Sequence, residues 1–566
     1  MNMKNIYKAC LIAIMSVAMT SCNESSFLEE KPLSIYTPEN SLVTIQDFQG
    51  AVNTLYNQTR FLIHEQTAHE RYMFWYGTDL AFGAADYYAN SRLNNYEATM
   101  IPTEPGVLNF WRHTYALVNQ SNLIISRLEK SDVSEADKNT LKGEALFFRA
   151  FGYRILANLF GGVPLILEEI TTPKRDFVRA TREEVYQQAK KDLTESASLL
   201  ADINRVKDGK ISKQAVQHLL GEIQISLGEY DEAITTLSSV IDYPEMALMT
   251  ERFGTKKDEP GDVCSDLHKT GNQNRSTSGN KETLWALQYD HLNPASKNGD
   301  ERPRMILPYY NAINITVKDA TGKDVTTAAF NLTAEKGGRG IGWAQPTWHM
   351  TNGVWTDDTD LRNSSYNIVR DMKIDNEKSP AFGKWFVADG FVSQTDTIRM
   401  WYPFFMKVTG DVPEDLWEKD GSGNPKMTKF GEHIVLSATT SSYRDTYMFR
   451  LAETYLLRAE AYLAKTDREK ATADINVIRA RAHAKLAKSS EVDIDYLLDE
   501  RLRELSFEEL RMCTLCRMGK LVERDRKYNP LSGKTIRDFH NLWPIPFSEI
   551  ESNVFAVLEQ NPGYVN

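Results

Sequence analysis

Two stretches of this 566-residue chain gather the residue types that recognise sugars. The first is Tyr72-Met-Phe74-Trp75-Tyr76-Gly-Thr-Asp79, followed by Asp86-Tyr87-Tyr88-Ala-Asn90-Ser-Arg92. The second runs from Tyr289 through His291, Asn293, Arg302, Tyr309, Tyr310 and Asn311 to Trp343, Gln345 and Trp348. A sugar ring presents a C–H face that stacks on a flat aromatic side chain, and its hydroxyls need amides, carboxylates and guanidinium groups around that face. The candidate ligand-binding residues are therefore Trp75, Asp86, Tyr87, Tyr88, Asn90, Arg302, Tyr309, Tyr310, Trp343 and Trp348. Every aromatic also has a competing reading as core. For Phe74, Trp285 and Trp355 core is the stronger one.

Catalytic and metal signatures fail on spacing. In His64-Glu65-Gln-Thr-Ala-His69 the histidines are five apart, about 140° around a helix, where a shared zinc needs them four apart. Gly337-Gly338-Arg339-Gly340-Ile341-Gly342 lacks the dinucleotide spacing, and Ser532-Gly533-Lys534-Thr535 lacks the first glycine of a phosphate loop. Asp357-Asp358-Thr-Asp360-Leu-Arg362 lacks the glycine and distal glutamate of a calcium loop. Cys513-Thr-Leu-Cys516 has no companion cysteine pair and sits in a helical context, which favours buried structural thiols. No metal, cofactor or catalytic residue is expected. A carboxylate pair for glycoside hydrolysis is diagnosed only by its separation in space, so the sequence leaves that question open.

The elements that must position these residues are mostly helices. Phe48, Val52, Leu55 and Tyr56 mark a first helix between Ile45 and Phe61, and Trp111 to Ile124 a second. A third runs from Gly143 to Leu159 and is closed by Gly161-Gly162 and Pro164. Thr181-x-x-Glu184 is a capping box, and Ser212 opens the next helix. Leu219 to Ile241, with Gly228-x-Tyr230 at the turn and Ala233 as the small packing residue, reads as a tetratricopeptide-like hairpin. A second hairpin spans 444–481. Its stripe is expected at Met448, Leu451, Ala452, Tyr455, Ala459 and Tyr462, answered by Ala471, Ile475 and Ile478. One such hairpin cannot bury its own apolar face, so two imply stacking. Between Pro244 and Thr440 helical periodicity fades, and short strand-like runs such as 283–289 and 313–317 appear.

The second hairpin and the chain beyond it resemble a known group, the SusD/RagB outer-membrane nutrient-binding lipoproteins. The resemblance rests on Arg450-Leu-Ala-Glu453 with Arg458-Ala-Glu460-Ala-Tyr462, and on Ile475-Asn476-Val-Ile-Arg479-Ala-Arg481. It continues through Asp499-Glu500-Arg501-Leu-Arg503-Glu504-Leu-Ser-Phe507-Glu508 with Arg511, then Leu542-Trp543-Pro544-Ile545-Pro546, and ends at Gln560-Asn561-Pro562-Gly563-Tyr564. It implies a mainly α, SusD-like fold with tetratricopeptide-like helical hairpins and an irregular loop-rich subdomain. It also implies capture of an oligosaccharide at the cell surface and delivery to a SusC-like TonB-dependent transporter. A peptide-capturing relative is the alternative, and a hydrolase ranks below both. In such proteins the glycan platform is built from the loop after the first helix and from the irregular insertion, where the two aromatic stretches fall.

Residues 1–21 carry Lys4 and Lys8, then an apolar run from Ala9 to Met19, then Thr20-Ser21 before Cys22. This is the layout of a secretory signal, and the run is shorter than the roughly 20 residues a bilayer span needs. Cys22 is the expected lipidation site, which would hold the protein on the outer membrane, facing outward, through its acyl chains. The expected organisation is a signal peptide at 1–21 and one domain at 22–566. That domain comprises a helical part (22–243), a ligand-binding insertion (244–440) and a second helical part (441–566). Removing residues 1–21 takes away two lysines and no acids, so the formal charge of −11 becomes −13. An acidic chain argues against nucleic acid as a partner. The cysteines besides Cys10 are Cys22, Cys264, Cys513 and Cys516, too few for a disulfide framework.

Overall fold

Caps written in the sequence start the helices. In the computed structural model the described residues are 42–65, 73–84, 93–293, 299–394 and 399–565. The expected signal peptide and Cys22, together with Asp86, Tyr87, Tyr88 and Asn90, lie outside them. Helix α1 (Ile45–Arg60) opens on a reciprocal Thr44/Asp47 capping box. It is followed by α2 (Pro105–Leu128), α3 (Glu135–Phe160), α4 (Arg182–Leu199), α5 (Lys213–Ser226) and α6 (Tyr230–Ile241). Thr181 and Glu184 form the capping box expected at α4, and Ser212 caps α5. Gly161, at φ +73°, ends α3.

Helix α3 is the central rod, buried at every position from Gly143 to Phe160. Two of its residues are arginines, and both are paired. Arg149 holds Asp192 of α4 through two bonds of 2.8 and 2.7 Å, and Arg154 holds Glu222 of α5 the same way. On the next layer Gly221 lets α5 and α6 close up, since a Cβ there would come within 2.4 Å of the Leu237 side chain.

Helices α7 (Leu451–Ala464) and α8 (Arg468–Arg481) form the second hairpin, and α7 packs against α6, so the two hairpins stack. Ile225, Ala233, Leu237, Leu457 and Ala461 fill that contact. The expected single stripe needs correction. Met448 lies in a strand, while Tyr455 and Tyr462 are only half-buried. Helix α7 is instead buried on several sides, with Leu456, Leu457, Ala459 and Glu460 all inside, because α5, α6, α8 and α9 (Ile494–Leu505) surround it. Two short helices, α10 (Arg511–Arg517) and α11 (Leu521–Tyr528), complete the helical part.

Among the described residues eight short strands make four antiparallel pairs. They are β1 (Ala81–Gly83), β2 (Thr283–Leu287), β3 (Asn314–Lys318), β4 (Asp324–Ala328), β5 (Ala344–Pro346), β6 (Ile368–Val369), β7 (Phe404–Phe405) and β8 (Thr446–Arg450). β1 pairs with β5, β2 with β8, β3 with β4, and β6 with β7. The irregular part has its own small core, in which Tyr310, Ile315, Phe330, Phe386 and Phe404 are buried together.

The charged motif residues form a buried network rather than a surface. Arg450 bonds Glu508 at 2.7 Å and Glu504 at 2.9 Å, and Arg481 bonds Glu282 at 2.8 Å and also Glu504. Arg362 reaches Glu500 at 2.8 Å and Glu504 at 3.1 Å, and Arg479 reaches Glu500 at 2.9 Å. Each charge faces at least one opposite charge, although Arg481 Nε has no hydrogen-bond partner, and such pairing is the condition for ions to sit away from water.

Candidate functional site

Three of the expected ligand residues are interior, and for these the expectation is corrected. Trp75 has no exposed surface, and its Nε1 donates to the Glu509 carbonyl at 2.9 Å. Arg302 grips the Asp300 carboxylate (2.6 Å) and donates to the Phe507 carbonyl and Thr446 Oγ1, both at 2.8 Å. The Tyr310 hydroxyl donates to the Gly338 carbonyl at 2.7 Å, with its ring against Phe330 and Phe404. Polar neighbours in the sequence suggest solvent, but here interior partners answer the polar atoms.

Tyr309, Trp343 and Trp348 remain at the surface, the first two half-buried and Trp348 71% exposed. Trp343 and Trp348 bracket β5. Its pairing with β1 sets Phe82 opposite Gln345 and Gly83 opposite Ala344, and the Ala84 amide continues the pairing to the Trp343 carbonyl at 3.0 Å. The segment that follows Tyr76 and Asp79 therefore meets the one from Trp343 to Trp348 at this strand pair. Tyr76 adds a second tie, its hydroxyl donating to the Trp343 carbonyl at 2.7 Å.

Two arginines complete the surface. The Arg304 guanidinium lies 5.0 Å from the centre of the Trp343 ring, and that of Arg399 lies 5.0 Å from the Tyr309 ring. Both are cation–π distances. The backbone holds the pairs side by side, because the Ile341 amide donates to the Arg304 carbonyl at 2.7 Å and the Tyr309 amide to the Arg399 carbonyl at 2.9 Å. Gly342 makes the approach possible: at φ +66° it lies so close that a Cβ would sit 2.4 Å from the Arg399 carbonyl oxygen. Arg304 and Arg399 are not among the residues expected from sequence. Ninety-odd residues separate them, and only the fold brings each over its ring.

Four polar side-chain atoms on these segments are buried without a hydrogen-bond partner: Arg304 Nε, Arg399 Nε, Asn311 Oδ1 and Gln345 Oε1. Two are donors and two acceptors. Tyr289 and His291 contribute to a different groove. There the Tyr289 hydroxyl lies 3.0 Å from His64 Nδ1 and His291 Nε2 lies 2.9 Å from an Asp415 oxygen.

Several of the residues tested for catalysis or metal have structural partners or are buried, while His69 lies outside the described residues. Asp360 holds Arg362, and Asp357 accepts from Thr359. Cys513 and Cys516 are buried free thiols, and burial pushes the Cys516 thiol up to about 12, far from a reactive thiolate. Among the described residues no helix is long and apolar enough to cross a membrane.

Residues 281–564 match the model of the SusD family, and residues 26–224 match one described as "Starch-binding associating with outer membrane". SusD-like protein P38 of Formosa agariphila is 24% identical over 585 aligned residues, covering 99% of each chain. A structure titled "Laminarin binding SusD-like protein" superposes with a TM-score of 0.66 at 19% identity, over 92% of this chain and 99% of that one. Surface glycan-binding protein A from Bacteroides thetaiotaomicron, solved with laminarihexaose, gives a TM-score of 0.64 at 17% identity, over 91% and 99%. At these identities the structural likenesses establish the shared fold.

Proposed function

Since the chain belongs to the SusD family, its model spanning residues 281–564, we propose that it binds an oligosaccharide or polysaccharide and passes it to a TonB-dependent outer-membrane transporter. The observation that carries this reading is the platform of Trp343 under Arg304 and Tyr309 under Arg399, with unpaired donors and acceptors on the same segments. Aromatic faces supply stacking energy, and the polar side chains beside them can hydrogen-bond ligand hydroxyls. Trp348 extends the exposed aromatic surface beyond β5. The titles of the two solved relatives, which name laminarin and laminarihexaose, support a glycan as the ligand class. The protein acts as a binder, not a hydrolase, in this reading.

Anchoring is assigned to Cys22, whose acylation would hold the mature chain at the outer membrane. For the transporter, an apolar ridge offers a docking face. Val178, Phe555 and Val557 are 68%, 79% and 77% exposed, and they are brought together where the Phe555 amide donates to the Arg175 carbonyl at 2.9 Å. Contiguous exposed apolar surface marks protein contacts.

The test is a glycan and peptide binding screen on purified residues 23–566, repeated with Trp343→Ala. Glycan binding lost in the variant supports the reading. Binding of peptides alone would replace it with the peptide-capturing alternative.

A further inference from the structure

A groove of about 830 Å³ is lined by none of the platform residues. Its aromatic lining combines Tyr289, from the second sequence stretch, with Tyr366, Trp417 and Tyr443, which that stretch does not include. Tyr366 is 47% exposed. Trp417 is half-buried and fixed twice, by its Nε1 donating to the Val412 carbonyl at 3.1 Å and by the His433 ring stacked 4.0 Å away at 23°. His433 is itself held, Nδ1 lying 2.7 Å from Glu335 Oε1. Tyr443 takes the edge of His291 at 4.6 Å, and His291 is oriented by Asp415 through Nε2. That bond leaves His291 Nδ1 as a buried nitrogen with no partner. Trp417 and Tyr443 are thus held by neighbouring side chains in a wall whose polar positions include carboxylates, hydroxyls and amines.

The charge of the lining selects the ligand. Glu259, Asp290, Glu335, Asp411 and Glu414 face three lysines, Lys256, Lys269 and Lys407. Lys256 is paired to Asp411 at 2.7 Å and Lys407 to Glu508. A uronic-acid or sulfated chain would meet net negative charge, and a wholly apolar ligand would strip water from the carboxylates with nothing in return. A neutral oligosaccharide fits both constraints, with C–H faces for the rings and hydroxyls that donate to carboxylates and accept from Lys269. The volume is in the ~300–1,000 Å³ range of small-ligand sites, enough for a few sugar units.

We propose that this groove is a second binding site for a neutral oligosaccharide, distinct from the Trp343 platform. The inference rests on the reading of the protein as a glycan binder and adds a second point of contact. One rigid piece of chain joins the two. The backbone of Asp300 exchanges two hydrogen bonds with Ser442, next to Tyr443 of the groove. The Asp300 carboxylate clamps Arg302, and Arg304, two residues on, lies over Trp343. A single polysaccharide chain held at both sites would gain from effective concentration, so long chains would bind more tightly than short ones.

The experiment is calorimetric titration of residues 23–566 with laminarihexaose and maltoheptaose, and with laminarin and amylose as long-chain probes. The variants are Tyr366→Ala, Trp417→Ala and Trp343→Ala, with melting temperature measured on each. The expected result is two hexaose or heptaose sites per chain in the unaltered protein and one in Trp417→Ala, with polymer affinity falling tenfold or more. Tyr366→Ala, on an exposed side chain, should weaken binding without altering the melting temperature. Undiminished stoichiometry and affinity in both groove variants, with loss in Trp343→Ala, overturns the groove and leaves the platform standing. Loss in the groove variants with none in Trp343→Ala does the reverse. Failure of all four probes to bind the unaltered chain at millimolar concentration overturns both.

Discussion

Arg511 and Asp79, 432 residues apart in sequence, meet in a fully buried bidentate pair, with Nε to Oδ1 at 2.8 Å and Nη2 to Oδ2 at 2.6 Å. Arg524 binds the same carboxylate. Two residues on from Asp79 begins β1, and the Thr347 hydroxyl after β5 donates to the Asp79 carbonyl at 2.6 Å. The ion pair thus fastens the platform's strand pair to the C-terminal helices.

Asp79→Ala should destabilise the protein by about 3–5 kcal/mol, because it takes a fully buried counter-charge from two buried guanidinium groups, Arg511 and Arg524. Chemical denaturation of the variant checks this. A loss below about 1 kcal/mol would show that the pair is not anchoring the strands.

Acid should unfold the protein cooperatively. Burial alone would raise the carboxyls of Glu500, Glu453 and Asp300, but ion pairs and hydrogen bonds outweigh it and hold all three down at about 2. Arg503, Arg362 and Arg479 act on Glu500, His218 and Arg501 on Glu453, and Arg302 on Asp300. An unfolded chain takes up these protons near pH 4, the native state only near pH 2, so stability is full above that window and falls as pH drops through it. Melting temperature followed from pH 7 to pH 2 should turn down steeply below about pH 4. A curve flat to pH 2.5 would contradict the network's role.

Asp525 carries the opposite sign. Burial pushes its carboxyl up to about 8 despite a 2.7 Å hydrogen bond from the Ser532 hydroxyl, and its Oδ2 has no partner. Between about pH 4 and 8 the native state keeps a proton that the unfolded chain has released, so this group's contribution declines as pH rises. Asp525→Asn should therefore melt higher than the unaltered protein at pH 8, with the gap closing toward pH 4. A gap independent of pH would mean that Asp525 is ionised in the fold.

Binding and stability should separate by position. Trp343→Ala should cost glycan binding about 2 kcal/mol or more, roughly thirtyfold, as expected of an aromatic anchor. Trp348→Ala, at a 71% exposed position, should leave the melting temperature nearly unchanged. Leu456→Ala, with no exposed surface at the centre of the repeat core, should cost about 2–5 kcal/mol of stability. Denaturation and titration of the same three variants test all of it.

The helical frame is legible in the sequence because its signals are local. Thr181 with Glu184 and Ser212 before α5 mark helix starts within four residues, and the structure uses both. Met448 reads as helical because an apolar residue at three-residue spacing fits either period at a boundary. Pairing with β2 decides for strand, and no nearby residue announces it. For the proposed platform, only position at the surface can be compared. Tyr309, Trp343 and Trp348 stand out in the sequence and lie at the surface, whereas Trp75, Arg302 and Tyr310 are answered by Glu509, Phe507 and Gly338, partners between 28 and 434 residues away. Arg304 and Arg399 illustrate the same limit from the other side, as neither has a local feature that marks it as the lid of an aromatic ring.

The interior charges also constrain how such a chain can change. Glu282, Arg362, Arg450, Arg481 and Glu504 come from five separated segments, and each serves more than one partner. Replacing any one by an apolar residue leaves the others uncompensated, while an apolar interior of equal volume requires all of them to change together. Changing one member at a time passes through an interior that holds an unpaired charge. The network therefore acts as a lock on the interior: its arginines and glutamates stand or fall together.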